Sequence, residues 1–434
     1  MIKKKSISID IFEICILLYC LIQPLILKWI LNKSFVKYIY ILIILYNIIK
    51  IVKIKKVKVD VISIALITLS FIYILLNLQQ NGFGKYYYTN LVVCGFGNII
   101  ILSFFINNIM KKDNSLIDKI ITIYAKISNV YFIINVPIIL IQLQNNYFMM
   151  RHHEVNPMYE DHITGLIGAS GTHRLTFFWL TLIITNIYFY NKNKNKSILI
   201  WIITQLIFMA SISAYNDNNA FFVFFPIILL QVMIMFIKKI NIIRVAKFLI
   251  LMPIFVSIIT LTYNSNDKLQ VFFNDRVIGK YYQLTNQSYK HTRHIEEEEE
   301  RIQLYKYALE YGNGYKLGKG IGSVTYGDKN MPAHFGMSEI SIKTYEGGIL
   351  YLVLLILLYS YYSYRIILSK NKLNKKCKLC LFLIMVFNFT IMSIYTQIFS
   401  TPEIIIFLGI ILCVVSMIYE DKINVKKLKN TYPV

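Results

Sequence analysis

The sequence is poor in the residues from which external disulfides and metal sites are built. It contains six cysteines, and none lies in a segment that we predict to be outside the cell, which excludes an external disulfide framework. Those segments contain no Asp-x-Asp pair either, so a metal-dependent mechanism has no obvious set of ligands. The sequence therefore predicts no metal site.

Apolar residues, in contrast, make up 56% of the 434 residues, and the mean hydropathy is +0.54. Apolar runs of about 18 or more residues recur, long enough to cross a ~30 Å hydrocarbon core as helices. We predict an all-α polytopic membrane protein with about 12 transmembrane helices in a single membrane domain, residues 1–434. The runs lie near 9–31, 35–52, 59–78, 90–110, 118–143, 174–190, 197–213, 219–237, 243–263, 345–368, 379–399 and 402–419.

Acidic residues are also scarce, with 23 Asp and Glu against 46 Lys and Arg, a formal net charge of +23. This excess does not indicate nucleic-acid binding, because Lys and Arg are concentrated in every second connection between apolar runs. That is the positive-inside pattern, which places both termini in the cytoplasm and the basic connections beside anionic lipids. We predict membrane lipids and no nucleic acid as partners. The basic connections are Lys3–Lys5, Lys50–Lys58, Lys111–Lys112, Lys192–Lys196, Lys238–Arg244, Arg365–Lys378 and Lys422–Lys429.

The same pattern leaves two substantial loops on the outer face. The first spans residues 144–173, and the second is one large external loop, residues 264–344, between spans 9 and 10. All seven histidines lie in these two loops, although the cytoplasmic connections are polar too. We therefore expect the chemistry of the protein to take place at the outer membrane surface.

The large loop is predicted to contain a helix, a glycine turn and the start of the helix that leads into the tenth span. Residues 295–311 have helical periodicity, and Gly312-Asn313-Gly314 is a glycine stop. The run Gly318-x-Gly-x-Gly322 is too rich in glycine for a helix. It lies outside the cell and follows no strand, so we favour a structural turn over a nucleotide loop. From Ser338 the chain is expected to become helical again.

Arginine is the residue type in these loops best suited to bind phosphate, because its planar guanidinium donates parallel hydrogen bonds to phosphate oxygens. Arg301 is the first choice for holding a lipid-linked pyrophosphate, and pairing with Glu297 is the equally good structural explanation. Arg174, at the outer entrance of the sixth run, is either a second phosphate ligand or an interface arginine whose side chain reaches the headgroups. Arg276 is a third choice.

His334 is the residue best suited to act as a general base, because the ordinary histidine pKa of about 6.5 allows proton abstraction near neutral pH. It lies shortly before Glu339 and Glu346, which are predicted to orient it. The cluster Glu160-Asp161-His162 in the first external loop is an alternative base. The residues predicted to contact the substrate are Arg174, Arg276, Asp161, His173, Gly320 and Gly322.

Four motifs together resemble the Wzy-type polysaccharide polymerase and O-antigen ligase family. They are Arg301-x-x-x-Tyr-x-x-Ala-Leu309, Leu317-Gly-x-Gly-x-Gly322, Ala333-His334 and Tyr345-Glu-Gly-Gly-Ile-Leu350. Asp161-His-Ile-Thr-Gly165 and Gly168-x-x-Gly-Thr-His-Arg174 are similar to a stretch of some capsule and O-antigen polymerases. Topology is similar over most of the chain, and specific residues over about 60 positions. Ligase-like members often carry a Ser-Arg pair where this chain has Ser211–Asn219 without arginine, which favours a polymerase.

The resemblance implies a glycosyltransferase of the bacterial cytoplasmic membrane. It would join oligosaccharide repeat units carried on undecaprenyl diphosphate into O-antigen or capsule, with a chain-length regulator protein as a possible partner. In this interpretation His334, Arg301, Glu339 and Glu346 are catalytic. The lipid diphosphate leaving group already activates the donor, so no cofactor is required. The alternatives are a ligase that transfers finished glycan, and a flippase or exporter of the lipid-linked oligosaccharide. A flippase would have charges buried along a path through its spans.

Overall fold

In the part of the chain that the computed structural model describes, every regular element is helical. The described residues are 15–20, 36–54, 61–84, 87, 91, 95–111, 114–145, 147–149, 163–168, 171–216, 218–234, 301–324, 338–368, 375–387, 393–395, 397 and 401–431. The longer helices are α1 (Val36–Ile54), α2 (Val61–Asn81), α3 (Phe96–Lys111), α4 (Asn114–Gln144), α5 (Thr172–Asn193), α6 (Lys196–Tyr215), α7 (Asn219–Ile234), α8 (Arg301–Glu310), α9 (Glu339–Leu368), α10 (Lys375–Phe387) and α11 (Pro402–Thr431). Short helical turns cover residues 15–20, Gly165–Ile167 and Ser393–Tyr395.

These helices follow the apolar runs of the sequence. The segments long and apolar enough to cross a membrane are Val61–Asn81, Ile117–Gln144, Lys196–Ser213 and Glu339–Ile367, and several shorter helices are equally apolar. This architecture is consistent with a polytopic, multi-pass membrane protein. The predicted ninth span, residues 243–263, lies outside the described residues, and the number of twelve spans stays a prediction.

The outward surface of several helices is apolar, as a lipid-facing surface must be. On α2 the side chains of Val61, Ile67 and Phe71 are each more than 60% exposed. Similar exposed aliphatic side chains line α1, α4 and α6. A water-soluble protein rarely presents so much contiguous apolar surface, whereas a hydrocarbon environment favours it.

Helix α5 lies at the centre of the packing. Residues Leu175–Asn186 are buried without interruption, and α11 packs along both α5 and α3. The buried hydroxyls of Thr181 and Thr185 donate to the carbonyl oxygens of Phe177 and Thr181, each at 2.6 Å. These two hydroxyls are therefore satisfied within the helix. Thr176 and Asn186 instead donate to neighbouring elements, Thr176 to Asn218 and Asn186 to Asn129 and Gln205.

The chain divides into two compact units. The first comprises Met1–Val232 and Arg301–Val434, and the second comprises Met233–Glu300. Of the second unit only residues 233 and 234, the end of α7, are described. The single membrane domain predicted for residues 1–434 stays a prediction.

Candidate functional site

Helix α9 is broken at Gly348. This residue has φ 72° and ψ 179°, a backbone conformation that side chains disfavour, and a Cβ atom here would collide with the carbonyl oxygen of Lys316. The break separates a polar segment, Glu339–Gly347, from an apolar one, Ile349–Leu368. The apolar segment alone is about 30 Å long, enough to cross the hydrocarbon core. The polar segment therefore lies at one end of an apolar segment that is itself long enough to be a span.

Residues Gly312–Gly322, which we name the glycine loop, bond to both sides of this break. The loop donates two backbone hydrogen bonds to carbonyls of the polar segment and accepts one from the start of the apolar segment. These are groups that a broken helix leaves without intrahelical partners. The bonds run from Lys319 N–H to Tyr345 O (2.8 Å), from Gly320 N–H to Glu346 O (2.9 Å) and from Ile349 N–H to Gly314 O (2.8 Å).

Glycine is required where the loop approaches α9 most closely. Gly318 has φ 72°, and a Cβ atom on it would lie 2.5 Å from the carbonyl carbon of Glu346. Gly320 and Gly322 also have positive φ, at 107° and 81°. The prediction that this glycine run forms a structural turn is confirmed.

Three charged side chains of the polar segment form a buried cluster, which we name the Glu–Lys–Glu cluster. Lys343 Nζ lies 3.4 Å from Glu339 Oε1 and 3.5 Å from Glu346 Oε2, and all three side chains are only 1% exposed. The second carboxylate oxygen of Glu346 accepts a hydrogen bond of 3.0 Å from the Gly322 N–H. Burying a charge is costly unless it is paired, so these contacts hold Glu346 in one position.

Helix α2 fastens the glycine loop and the break from the opposite side. The Asn77 side chain, fully buried, donates to the Leu317 carbonyl at 2.9 Å and accepts from the Ile321 N–H at 3.5 Å. One turn earlier, the Tyr73 hydroxyl donates to the Gly347 carbonyl at 3.2 Å. Two polar side chains of this mostly apolar helix thus bond to both elements of the site.

Helix α8, which begins at Arg301, packs on the polar segment of α9. Leu304 and Ala308 of α8 are buried against Ile342 and Val324. Arg301 is the first residue of α8, and its side chain lies outside the described structure. The helix ends at Glu310, before the predicted glycine stop, which is confirmed over the described residues.

A second loop, Ile163–Gly168, is buried against other helices, and we name it the 163–168 loop. Two side chains of α4 bond to its backbone: Asn135 Oδ1 accepts from Leu166 N–H at 2.7 Å, and Gln142 Oε1 accepts from Gly165 N–H at 2.8 Å. Asn216, after α6, donates to the Ile163 carbonyl at 2.8 Å. Neutral amides therefore bond this loop to helices on two sides.

The structure brings together four of the predicted site residues. Gly320 and Gly322 both bond to Glu346 near the break in α9, and Glu339 is linked to Glu346 through Lys343. Arg174 and His173 are half-buried in the first turn of α5, which follows the 163–168 loop. Three predicted residues, His334, Arg276 and Asp161, lie outside the described residues.

Lys343 is the residue of this site that sequence reasoning missed. A lysine at the entrance to a span reads as an ordinary interface residue. The available signal is its spacing, because Glu339, Lys343 and Glu346 fall at i, i+4 and i+7 on one helix face.

Metal ligation and similarity to known proteins add no further assignment. Within the described residues, no group of three or more His, Cys, Asp or Glu is placed to hold a metal ion. No family model matches the chain, and neither a curated protein nor a solved structure matches it.

Proposed function

We propose that this protein polymerises surface polysaccharide, joining oligosaccharide repeat units carried on undecaprenyl diphosphate at the outer face of a bacterial cytoplasmic membrane. The observation that supports this function best is the contact between two motifs of the family resemblance. Glu346, from the Glu-Gly step, accepts a hydrogen bond from Gly322, at the end of the glycine run. Residues 24 positions apart thus form one site at the end of a membrane span.

In the proposed reaction a hydroxyl of the acceptor sugar attacks the anomeric carbon of the donor glycan. The new glycosidic bond forms as the bond between the anomeric carbon and the diphosphate oxygen breaks. His334 takes the hydroxyl proton, and lipid diphosphate leaves with the bonding electrons. Arg301, together with Arg174 or Arg276, stabilises the negative charge that grows on the leaving group.

The Glu–Lys–Glu cluster has a positioning role in this mechanism. Lys343 holds both carboxylates, and Glu346 also receives the Gly322 N–H, so its orientation is fixed from two sides. In the proposed mechanism a carboxylate held in this way orients His334, which lies five residues before Glu339 in the sequence. Rigid placement of a base matters because a displacement of about 1 Å can cost a factor of about 10² in rate.

A transporter of lipid-linked glycan is the second function with an observation in its favour. Discontinuous helices with buried ionisable residues are typical of transporter binding sites. Here, however, Ile349–Leu368 is by itself long enough to cross the hydrocarbon core, and the buried charges lie at one end of it. Chemistry at the membrane surface uses charges in that place, whereas a transport path needs them nearer the midplane.

The proposed function is tested by the size distribution of surface polysaccharide in a deletion strain. Wild type, His334→Ala and Arg301→Ala are expressed at matched protein levels, and the glycan is resolved on gels. Wild type is expected to restore a ladder, while the deletion and both variants give single repeat units. Lys306→Ala is the matched control, because Lys306 is an exposed cation on the same helix as Arg301.

The remaining outcomes separate the alternatives. Repeat units trapped at the cytoplasmic face in the deletion strain would identify a flippase. Full-length ladders that persist on the lipid carrier but never reach the final acceptor would identify a ligase. A normal ladder in the deletion strain would overturn all three functions.

A further inference from the structure

Three tyrosines from two segments stack beside the site, and we name them the tyrosine stack: Tyr307, Tyr311 and Tyr345. The ring centroids of Tyr307 and Tyr311 lie 5.0 Å apart with an interplanar angle of 26°. Those of Tyr307 and Tyr345 lie 6.2 Å apart with an angle of 2°. The stack therefore runs from α9, through α8, to the residue that follows α8.

The backbone fixes the stack to the glycine loop and to Glu346. The Tyr345 carbonyl accepts the Lys319 N–H at 2.8 Å, and Tyr345 immediately precedes Glu346 in α9. Gly312 permits the close packing, since a Cβ atom on it would lie 2.6 Å from the Tyr345 ring. The inner end of the stack is therefore joined by the backbone both to the glycine loop and to Glu346 of the Glu–Lys–Glu cluster.

The outer end of the stack is open. Tyr311 is 65% exposed, whereas Tyr307 and Tyr345 are half-buried. The other exposed residues around Tyr311 are Glu310, Asn313, Tyr315, Lys316 and Lys319, and most of them carry hydrogen-bonding groups. An exposed aromatic face beside such groups fits a ligand that presents both C–H faces and hydroxyls.

We propose that Tyr311 binds a pyranose ring of the glycan carried on the lipid, which rests on the proposed function and identifies its sugar subsite. The C–H groups on one face of a pyranose carry partial positive charge and pack on the negative face of an aromatic ring. The sugar hydroxyls remain at the edge of the ring, where the exposed polar side chains lie. Tyr307 and Tyr345 support Tyr311 from behind and keep its ring in one plane.

Binding of two probes to the full-length protein in nanodiscs tests this subsite. The first probe is undecaprenyl diphosphate carrying one repeat unit, isolated from the deletion strain, and the second is undecaprenyl diphosphate alone. Tyr311→Leu is expected to weaken binding of the first probe about two- to tenfold, the range for a lost aromatic contact, and to leave the second unchanged. Tyr311→Phe keeps the ring face and is expected to retain binding of both probes.

Tyr315→Leu is the matched control. Tyr315 is 73% exposed, lies four residues further along the chain and belongs to no ring pair in the described structure. Equal weakening of the first probe by Tyr315→Leu, or equal weakening of both probes by Tyr311→Leu, would overturn the sugar subsite. So would unchanged binding in Tyr311→Leu while wild type binds the first probe. If wild type binds neither probe, the proposed function fails instead.

Discussion

The glycine loop and the 163–168 loop are both short segments fastened by amide side chains of neighbouring helices. The side-chain amide of Asn77 donates to one backbone group of the glycine loop and accepts from another. The side-chain amides of Asn135 and Gln142 each do this with the backbone of the 163–168 loop. The glycine loop, however, also bonds to the charged Glu346, whereas the 163–168 loop bonds to the neutral side chains of Asn135, Gln142 and Asn216. Glycines with positive φ occur in both loops.

This difference distinguishes contacts that only fix a loop in place from contacts that are suited to chemistry. Neutral amides satisfy buried backbone groups at low cost and are sufficient to fix a segment in place. A buried cluster of one ammonium and two carboxylates costs desolvation energy, and an apolar replacement of similar volume would often be as stable or more stable. We infer that the glycine loop carries function, and that the 163–168 loop serves mainly as support for the first turn of α5.

The largest expected effect comes from removing the cation between the two carboxylates. Lys343→Met leaves Glu339 and Glu346 buried without their shared partner, which should lower the free energy of unfolding by about 3–5 kcal/mol. The measurement is thermal or chemical unfolding of the detergent-solubilised protein. Lys306→Met, on an exposed lysine, is the control, and equal stability of the two variants would contradict the prediction.

A triple variant separates the structural part of this effect from the functional part. Glu339→Gln, Lys343→Met and Glu346→Gln together remove every charge of the cluster. We expect this protein to regain most of the lost stability and still to produce no polysaccharide ladder. A ladder of normal length would show that the cluster has only a structural role.

The next effect concerns activity more than stability. In Glu346→Gln the side-chain oxygen still accepts the Gly322 N–H, but the charge that orients the base is lost. Polymer formation in membrane vesicles is expected to slow about 10²-fold, equivalent to about 2.7 kcal/mol in the activation free energy. Glu310→Gln, on an exposed glutamate, should leave the rate unchanged. A rate within about twofold of wild type would remove Glu346 from the mechanism.

On the other loop the same kind of change should affect stability alone. Gln142→Leu leaves the buried Gly165 N–H without its acceptor, which should lower the free energy of unfolding by about 1–3 kcal/mol, and removes the donor to the part-buried Phe148 carbonyl. Activity per folded molecule should stay near wild type, with Gln144→Leu, on an exposed side chain, as the control. A loss of rate as large as that of Glu346→Gln would make both loops catalytic and end the distinction between them.

The smallest effect tests the turn that opens the glycine loop. Asn313 has φ 52°, a conformation that asparagine tolerates and alanine does not. Asn313→Ala should lower the free energy of unfolding by about 1–2 kcal/mol, and Asn313→Gly should leave it nearly unchanged. The two unfolding midpoints measured side by side decide this, and identical values would show that the turn adopts another conformation.

The sequence predicts the helices well because apolar runs and glycine stops are local signals. It places the return to helix near Ser338, ahead of the tenth span, and the turn at Gly318–Gly322; the structure has a helix from Glu339 and positive φ at these glycines. The break at Gly348 was not predicted. A Gly-Gly pair inside an apolar run is the signal that was available, and it is weak because glycine is common in membrane helices.

The hydrogen bonds that fix the two loops in place could not be predicted from one sequence. Asn77 and Leu317 are 240 residues apart, and nothing local to Asn77 names its partner. Asn135 and Gln142 are seven residues apart and share a face of α4, which indicates a common partner without identifying it. The roles of Arg301, His334 and Arg276 rest on the resemblance and stay predictions.

The bond between Tyr73 and Gly347 has a consequence for how the protein is made. Its two residues are 274 positions apart, so at about 5–20 residues per second the ribosome needs roughly 14–55 s to supply the second after the first. For most of that interval the chain does not yet contain the backbone groups of Gly347 and Leu317, to which Tyr73 and Asn77 of α2 donate in the complete protein. Nascent chains that end between the glycine loop and α9 therefore contain the loop and Asn77 but not Glu346 or Gly347. The site can be completed only after α1–α8 and the first part of α9 have been synthesised.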